Sequence, residues 1–149
     1  MASKAKMLYL MLFRDFMKIV FDTNISLSSL LFPGFSSKVY DFCVSNYNVF
    51  SSQWLFNELE NKLLGKSKLT EAQTELILET IKERVSVVHP SNSIPDACRD
   101  KDDNHVLQLA EYIQADYIIT GDKDLLILES FLQTKIESPR DFFNQFIEN

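Results

Sequence analysis

The 149-residue chain has little of what interrupts structure, with 3 glycines and 4 prolines. That scarcity excludes long flexible linkers and low-complexity tracts, and no internal repeat is visible. The 2 cysteines, Cys43 and Cys98, lack metal-type spacing and are too few for a disulfide framework. A reduced, cytoplasmic protein is the expectation. The 2 histidines, His89 and His105, have no nucleophilic partner, and no serine or cysteine sits at a nucleophile elbow. Both imidazoles therefore read as structural or surface groups. Positive charge is also short, with 15 Lys+Arg against 21 Asp+Glu and a net charge of −6. At face value this disfavours a nucleic-acid binder. The inference weakens if several acids gather in one cleft, where bound cations offset them.

Long hydrophobic runs are missing too. Met7 to Phe13 is apolar and follows Lys4 and Lys6, a faint likeness to a secretion signal. It is too short to span a bilayer, runs at once into Arg14-Asp15, and has no small-residue cleavage site. The chain restarts at Met17, so residues 1–16 read as a leader or appended segment. Residues 17–149 read as one domain, long enough to bury a core without staples, and no membrane partner is expected.

What is present is organised around Lys18-Ile19-Val20-Phe21-Asp22-Thr23-Asn24. A short apolar, β-favouring run reads as a strand buried on both faces, as in parallel sheets flanked by helices. An acid at its carboxyl end points into the crevice where open α/β sheets hold ligands. Ile25 to Phe32 is helical or loop-like and ends at the Pro33-Gly34 turn signal. A helix follows from Ser36-Ser37, and Asn48 to Ser51 is a second strand. Ser52 is an N-cap for a helix from Gln53 to Leu64, with an apolar stripe of Leu55, Leu59 and Leu63 and a stop at Gly65. A further helix opens at Thr70, and Val85 to Val88 is a third strand. Beyond a Pro- and Ser-rich loop, Asp103 begins a helix that feeds the strand Tyr117 to Thr120. Lys135 to Glu137 is a weak fifth strand, and Pro139, behind Ser138, starts the terminal helix. Strands alternating with helices give an α/β fold with a mostly parallel sheet.

Topology brings acids together. Asp22 ends strand one, and Asp122 follows strand four by two residues. The helix starting at Asp103 runs antiparallel to the strand it feeds, so its N-terminus lies at the same sheet edge. The helix carrying Glu58 leaves strand two at that edge as well. Bare carboxylates at such proximity raise one another's pKa, and a divalent cation resolves the conflict. Oxygen ligands without His or Cys favour Mg²⁺ or Mn²⁺ over zinc. Each acid also has a plainer reading: Asp103 and Asp122 as helix caps, Asp22 within an Asx-turn, Glu58 as an i,i+4 partner of Lys62. Capping does not require a shared edge, and the joint placement favours a site. Periodicity alone leaves Glu58 and Glu60 as alternatives, since they flank the leucine stripe on opposite sides. Asp100 and Asp102 read as solvated loop residues.

Val20-Phe21-Asp22-Thr23-Asn24, Glu58-Leu59, Asp102-Asp103-Asn104 and Thr120-Gly121-Asp122-Lys123-Asp124-Leu125, in this order, resemble the PIN domain family. Within it they look most like the toxin components of bacterial toxin–antitoxin systems, the VapC-type ribonucleases. The likeness runs from Lys18 to Phe146. It implies a three-layer sandwich around a five-stranded, mostly parallel sheet of order 3-2-1-4-5. It also implies a Mg²⁺- or Mn²⁺-dependent endoribonuclease with Asp22, Glu58, Asp103 and Asp122 as catalytic and metal-holding acids. The family pattern selects Glu58 over Glu60. Thr23, Asn24 and Thr120 match positions that hydrogen-bond and orient the acids, with Asn104 and Asp124 as further supports. A homodimer, a cognate antitoxin and an RNA substrate are the partners the resemblance implies. The basic candidates for RNA are few, chiefly Lys62, Lys66 and Lys123.

Two other classes compete. A PIN-like module that only binds RNA or protein would be expected to have lost some of the acids, and all four are here. A phosphoryl-transfer domain also uses an Asp after strand one, but Asp22-Thr23-Asn24 lacks the second Asp two residues on that dehalogenase-type phosphatases use.

Overall fold

The computed structural model describes residues 17–66 and 68–148, together with residues 3–5, 8 and 12. Apart from those few positions, the leader expected over residues 1–16 lies outside the described residues. The elements run β1 (Lys18–Phe21), α1 (Thr23–Leu31), α2 (Phe35–Asn46), β2 (Asn48–Ser52), α3 (Gln53–Lys66), α4 (Glu71–Arg84) and β3 (Ser86–Val88). They continue with α5 (Asp103–Ile113), β4 (Tyr117–Ile119), α6 (Lys123–Leu126), β5 (Ser130–Phe131), β6 (Thr134–Glu137) and α7 (Pro139–Phe146).

Side-chain chemistry sets many of these boundaries. The Ser52 hydroxyl accepts the Leu55 amide at 3.2 Å and starts α3. Thr70 and Gln73 form a reciprocal capping box at α4. Ser138 caps α7 through the Asp141 amide, with Pro139 in the first turn. Gly34, at φ +152°, supplies the backbone conformation that separates α1 from α2. Gly65 does not stop α3, which continues to Lys66. A single glycine weakens a helix by only about 1 kcal/mol.

The sheet order is β3-β2-β1-β4-β6-β5. Every pairing is parallel except the β5–β6 hairpin. The expected five-stranded order is thus present with β6 in the fifth place, and β5 is an additional, two-residue edge strand. Its hairpin turn carries Leu132 at φ 54°, without the Gly or Asn that usually announces such a turn.

Alternation along β1 divides the core. Ile19 and Phe21 pack with Val39, Tyr40 and Cys43 of α2 and Phe142 of α7. Val20 faces the other way, towards Leu55 of α3 and Val106, Leu107 and Ala110 of α5. The result is three layers with the sheet in the middle. The leucine stripe is fully buried: Leu55 joins the core under the sheet, while Leu59 and Leu63 meet Leu78 and Ile81 of α4. Among the described residues no helix is long and apolar enough to cross a membrane.

Candidate active site

β1 and β4 are neighbours, with Phe21 opposite Ile119, so the residues that follow each strand leave the sheet side by side. Asp22 leaves first. Its amide donates to the Ile119 carbonyl at 3.3 Å, its Oδ1 accepts the Ile25 amide at 3.0 Å, and its Oδ2 accepts the Thr120 hydroxyl. Thr120 Oγ1 in turn accepts the Asp122 amide at 2.9 Å, which ties the two strand ends together. Asp22 is 5% exposed. Burial pushes its carboxyl above the usual carboxylate range, against the opposing pull of Thr120 and the Ile25 amide; Asp122 adds to the rise, and Lys62 moderates it.

The cleft built over this edge has a volume of about 270 Å³. Asp22, Glu58, Asp103 and Asp122 all line it, so the four acids anticipated from topology do share one crevice. Glu60 lies elsewhere, along a groove between α3 and α4. Asp100 and Asp102, read from sequence as solvated loop residues, are exposed and also line the cleft. They raise its negative charge.

The plainer readings fare unequally. Asp122 does cap α6, accepting the Asp124 amide at 2.8 Å, and Asp22 does cap α1. Asp103 does not cap α5; it is the first residue of the helix and Asp102 precedes it as the cap residue. Among the described residues Asp103 Oδ2 is buried with no hydrogen-bond partner. Burial first, then Asp122 and Asp100, push the Asp103 carboxyl up to about 7. A buried acceptor left in that condition costs about 1–3 kcal/mol unless something binds it.

Carboxylate oxygens of Asp103, Asp122 and Asp124 all lie within 4.8 Å of one another. Three hard oxygen donors fit a divalent cation with oxygen preference, and one of the three residues, Asp103, has a buried oxygen without a partner among the described residues. Asp124 is also gripped by the Arg99 guanidinium, at 3.3 Å from Nε to Oδ1 and 3.0 Å from Nη2 to Oδ2. Glu58 pairs with Lys62 at 3.1 Å, the i,i+4 partner that spacing offers. Lys62 Nζ also donates to Asn24 Oδ1 at 2.8 Å, a contact between residues 38 apart that periodicity cannot reveal.

The supporting residues divide. Thr120 bonds Asp22 directly, whereas the Thr23 hydroxyl is buried and has no partner among the described residues. Asn104 is buried, and its Oδ1 accepts the Ala97 and Cys98 amides at 3.2 and 2.9 Å, holding the loop that leads to Asp103. Of the basic candidates, Lys62 turns into the cleft, Lys123 is exposed on α6, and Lys66 ends α3, its side chain outside the described residues. His105, expected to be structural or superficial, stacks on Trp54 with ring centroids 3.7 Å apart, joining α5 to α3. Burial pushes the Cys98 thiol up to about 11 and the Cys43 thiol higher still, so neither is poised as a nucleophile.

Comparison with known proteins places the chain in a family and a fold. Residues 18–124 match the profile of the PIN domain. An uncharacterized protein of Methanocaldococcus jannaschii is 31% identical, with 87% of this chain and 91% of that protein covered. In fold the chain is similar to the crystal structure of VapBC2 from Rickettsia felis bound to a DNA fragment from their promoter. That match has a TM-score of 0.61 at 16% identity and covers 82% of this chain and 98% of that one. The chain belongs to the PIN domain family, whose members are generally nucleases.

Proposed function

We propose that this protein is a metal-dependent endoribonuclease, the toxin component of a toxin–antitoxin pair. The observation that carries the reading is the joint presence of Asp22, Glu58, Asp103 and Asp122 in one cleft, with a buried oxygen of Asp103 unpartnered among the described residues. Asp22, Asp103 and Asp122, with Asp124 beside them, are the residues that would hold Mg²⁺ or Mn²⁺. When bound, such an ion supplies Lewis acidity for phosphodiester hydrolysis.

The chain's own groups do the remainder. Thr120 and the Ile25 amide fix both oxygens of Asp22, so its carboxylate is oriented before substrate arrives. Asn104 fixes the approach to Asp103. Glu58 is the remaining acid of the quartet and can accept a proton from the attacking water or lend an oxygen to the ion. Arg99, exposed beside the cleft, and Lys123 are the groups available to RNA phosphates. The likeness to a VapBC complex supports an antitoxin as protein partner, and the family resemblance supports a homodimer.

Matched single-stranded RNA and DNA oligonucleotides, incubated with Mg²⁺, Mn²⁺ or EDTA, test the reading. The expected outcome is internal cleavage of RNA with either cation and none in EDTA. Undiminished cleavage in EDTA, or cleavage of DNA alone, would overturn it.

A further inference from the structure

The acids at this sheet edge are not treated alike by the structure. Asp103, Asp122 and Asp124 can bring carboxylate oxygens within 4.8 Å of one another, and Glu58 is outside that group. Glu58 instead faces the Lys62 ammonium, which also holds Asn24 of α1. A surface lysine keeps its head in water, and an exposed i,i+4 pair is loosely held. Lys62 departs from that pattern. Its side chain is 25% exposed, Glu58 is 23% exposed, and its second partner comes from a different helix. Two of the three ammonium donors are committed inside the cleft.

Two-ion nucleases place their cations about 3.5–4 Å apart, each needing oxygen donors of its own. Here Glu58 Oε1 and Asn24 Oδ1, on the α3 side of the cleft, face the Lys62 ammonium at 3.1 and 2.8 Å, a cation only 25% exposed, whereas the Arg99 guanidinium that bonds Asp124 is 86% exposed and free to swing away. We propose that the Lys62 ammonium stands permanently where a second divalent ion would sit, so that the protein binds a single such ion, at the Asp103–Asp122–Asp124 side, while Lys62 positions Glu58. The assignment rests on the metal-dependent reading above and departs from the sequence-based one, in which Lys62 contacts RNA. It gives the cleft a fixed charge of +1 that needs no uptake from solution, on a side where Asp22 and Glu58 are both present.

Counting bound ions tests this without any activity measurement. The full chain is titrated with Mn²⁺ alone, by calorimetry and by the electron paramagnetic resonance signal of free Mn²⁺. Wild type is expected to bind one ion, and Asp103→Asn to lose it. Lys62→Met and Lys62→Gln are each expected to bind two, since both remove the positive charge that faces Glu58 and Asn24. Adding Glu58→Gln to Lys62→Met should return the count to one. Circular dichroism identifies any variant that has not folded, and the glutamine substitution retains a donor for Asn24 if the methionine is not tolerated. Two ions in wild type, or one ion in both folded Lys62 variants, overturns the proposal and leaves the metal-dependent reading intact. No ion in wild type overturns both.

Discussion

The Asp103 carboxylate has one oxygen buried and, among the described residues, without a hydrogen-bond partner. Burial, then the neighbouring Asp122 and Asp100, push this carboxyl up from an ordinary 3.8 to about 7. Between those values the folded state holds more protons than the unfolded state, so this group's contribution to stability falls as pH rises from about 4 to about 7. Asp22 is shifted in the same direction. In EDTA, wild type should therefore lose Tm between pH 5.5 and 8. Asp103→Asn should flatten that slope and match or exceed wild type at pH 8. Parallel Tm profiles for the two proteins would contradict the account. A second residue-scale expectation concerns Thr120, whose hydroxyl serves Asp22 and the Asp122 amide at once. Thr120→Val leaves both without that partner and should cost about 1–3 kcal/mol in urea unfolding. No measurable change would contradict the bonding described.

At the scale of elements, α7 closes the outer layer through Phe142, which is 0% exposed and meets the rings of Tyr47, Tyr117 and Phe146. Phe142→Ala should destabilise by about 3–5 kcal/mol. Ile127→Ala, at a side chain 79% exposed, should stay within about 0.5 kcal/mol. Similar losses in both would mean that α7 is not docked as described. These elements were legible because local chemistry announces them: β1 as an apolar run ending in Asp22, α3 by Ser52 and its leucine stripe, α7 by Ser138-Pro139. The β5 strand was not legible, since its turn places Leu132 rather than glycine at positive φ. Long-range polar contacts escaped for a different reason. Lys62 with Asn24, and Arg99 with Asp124, join residues whose spacing has no period, so only the folded chain brings them together. Asp100 and Asp102 look like ordinary loop acids until the loop is seen to turn back over the cleft.

The whole molecule carries a net charge of −6, and its cleft adds a local concentration of carboxylates. Without a cation, phosphate backbones should be repelled from it. RNA binding to wild type should therefore be weak in EDTA and rise with Mg²⁺, the reverse of the salt response of a basic RNA binder. Fluorescence anisotropy of a labelled RNA, measured with Ca²⁺ in place of Mg²⁺ if cleavage interferes, checks this. Tight binding in EDTA would contradict it.

Convergence of acids distant in sequence into a metal-dependent nuclease site is tested by cleavage of a mixed pool of structured RNAs. Wild type, Asp22→Asn and Asp103→Asn are compared with Mn²⁺ at equal concentration, with folding of each confirmed by circular dichroism. Cleavage by wild type that both folded variants lose is the expected result. Equal cleavage by all three would contradict it.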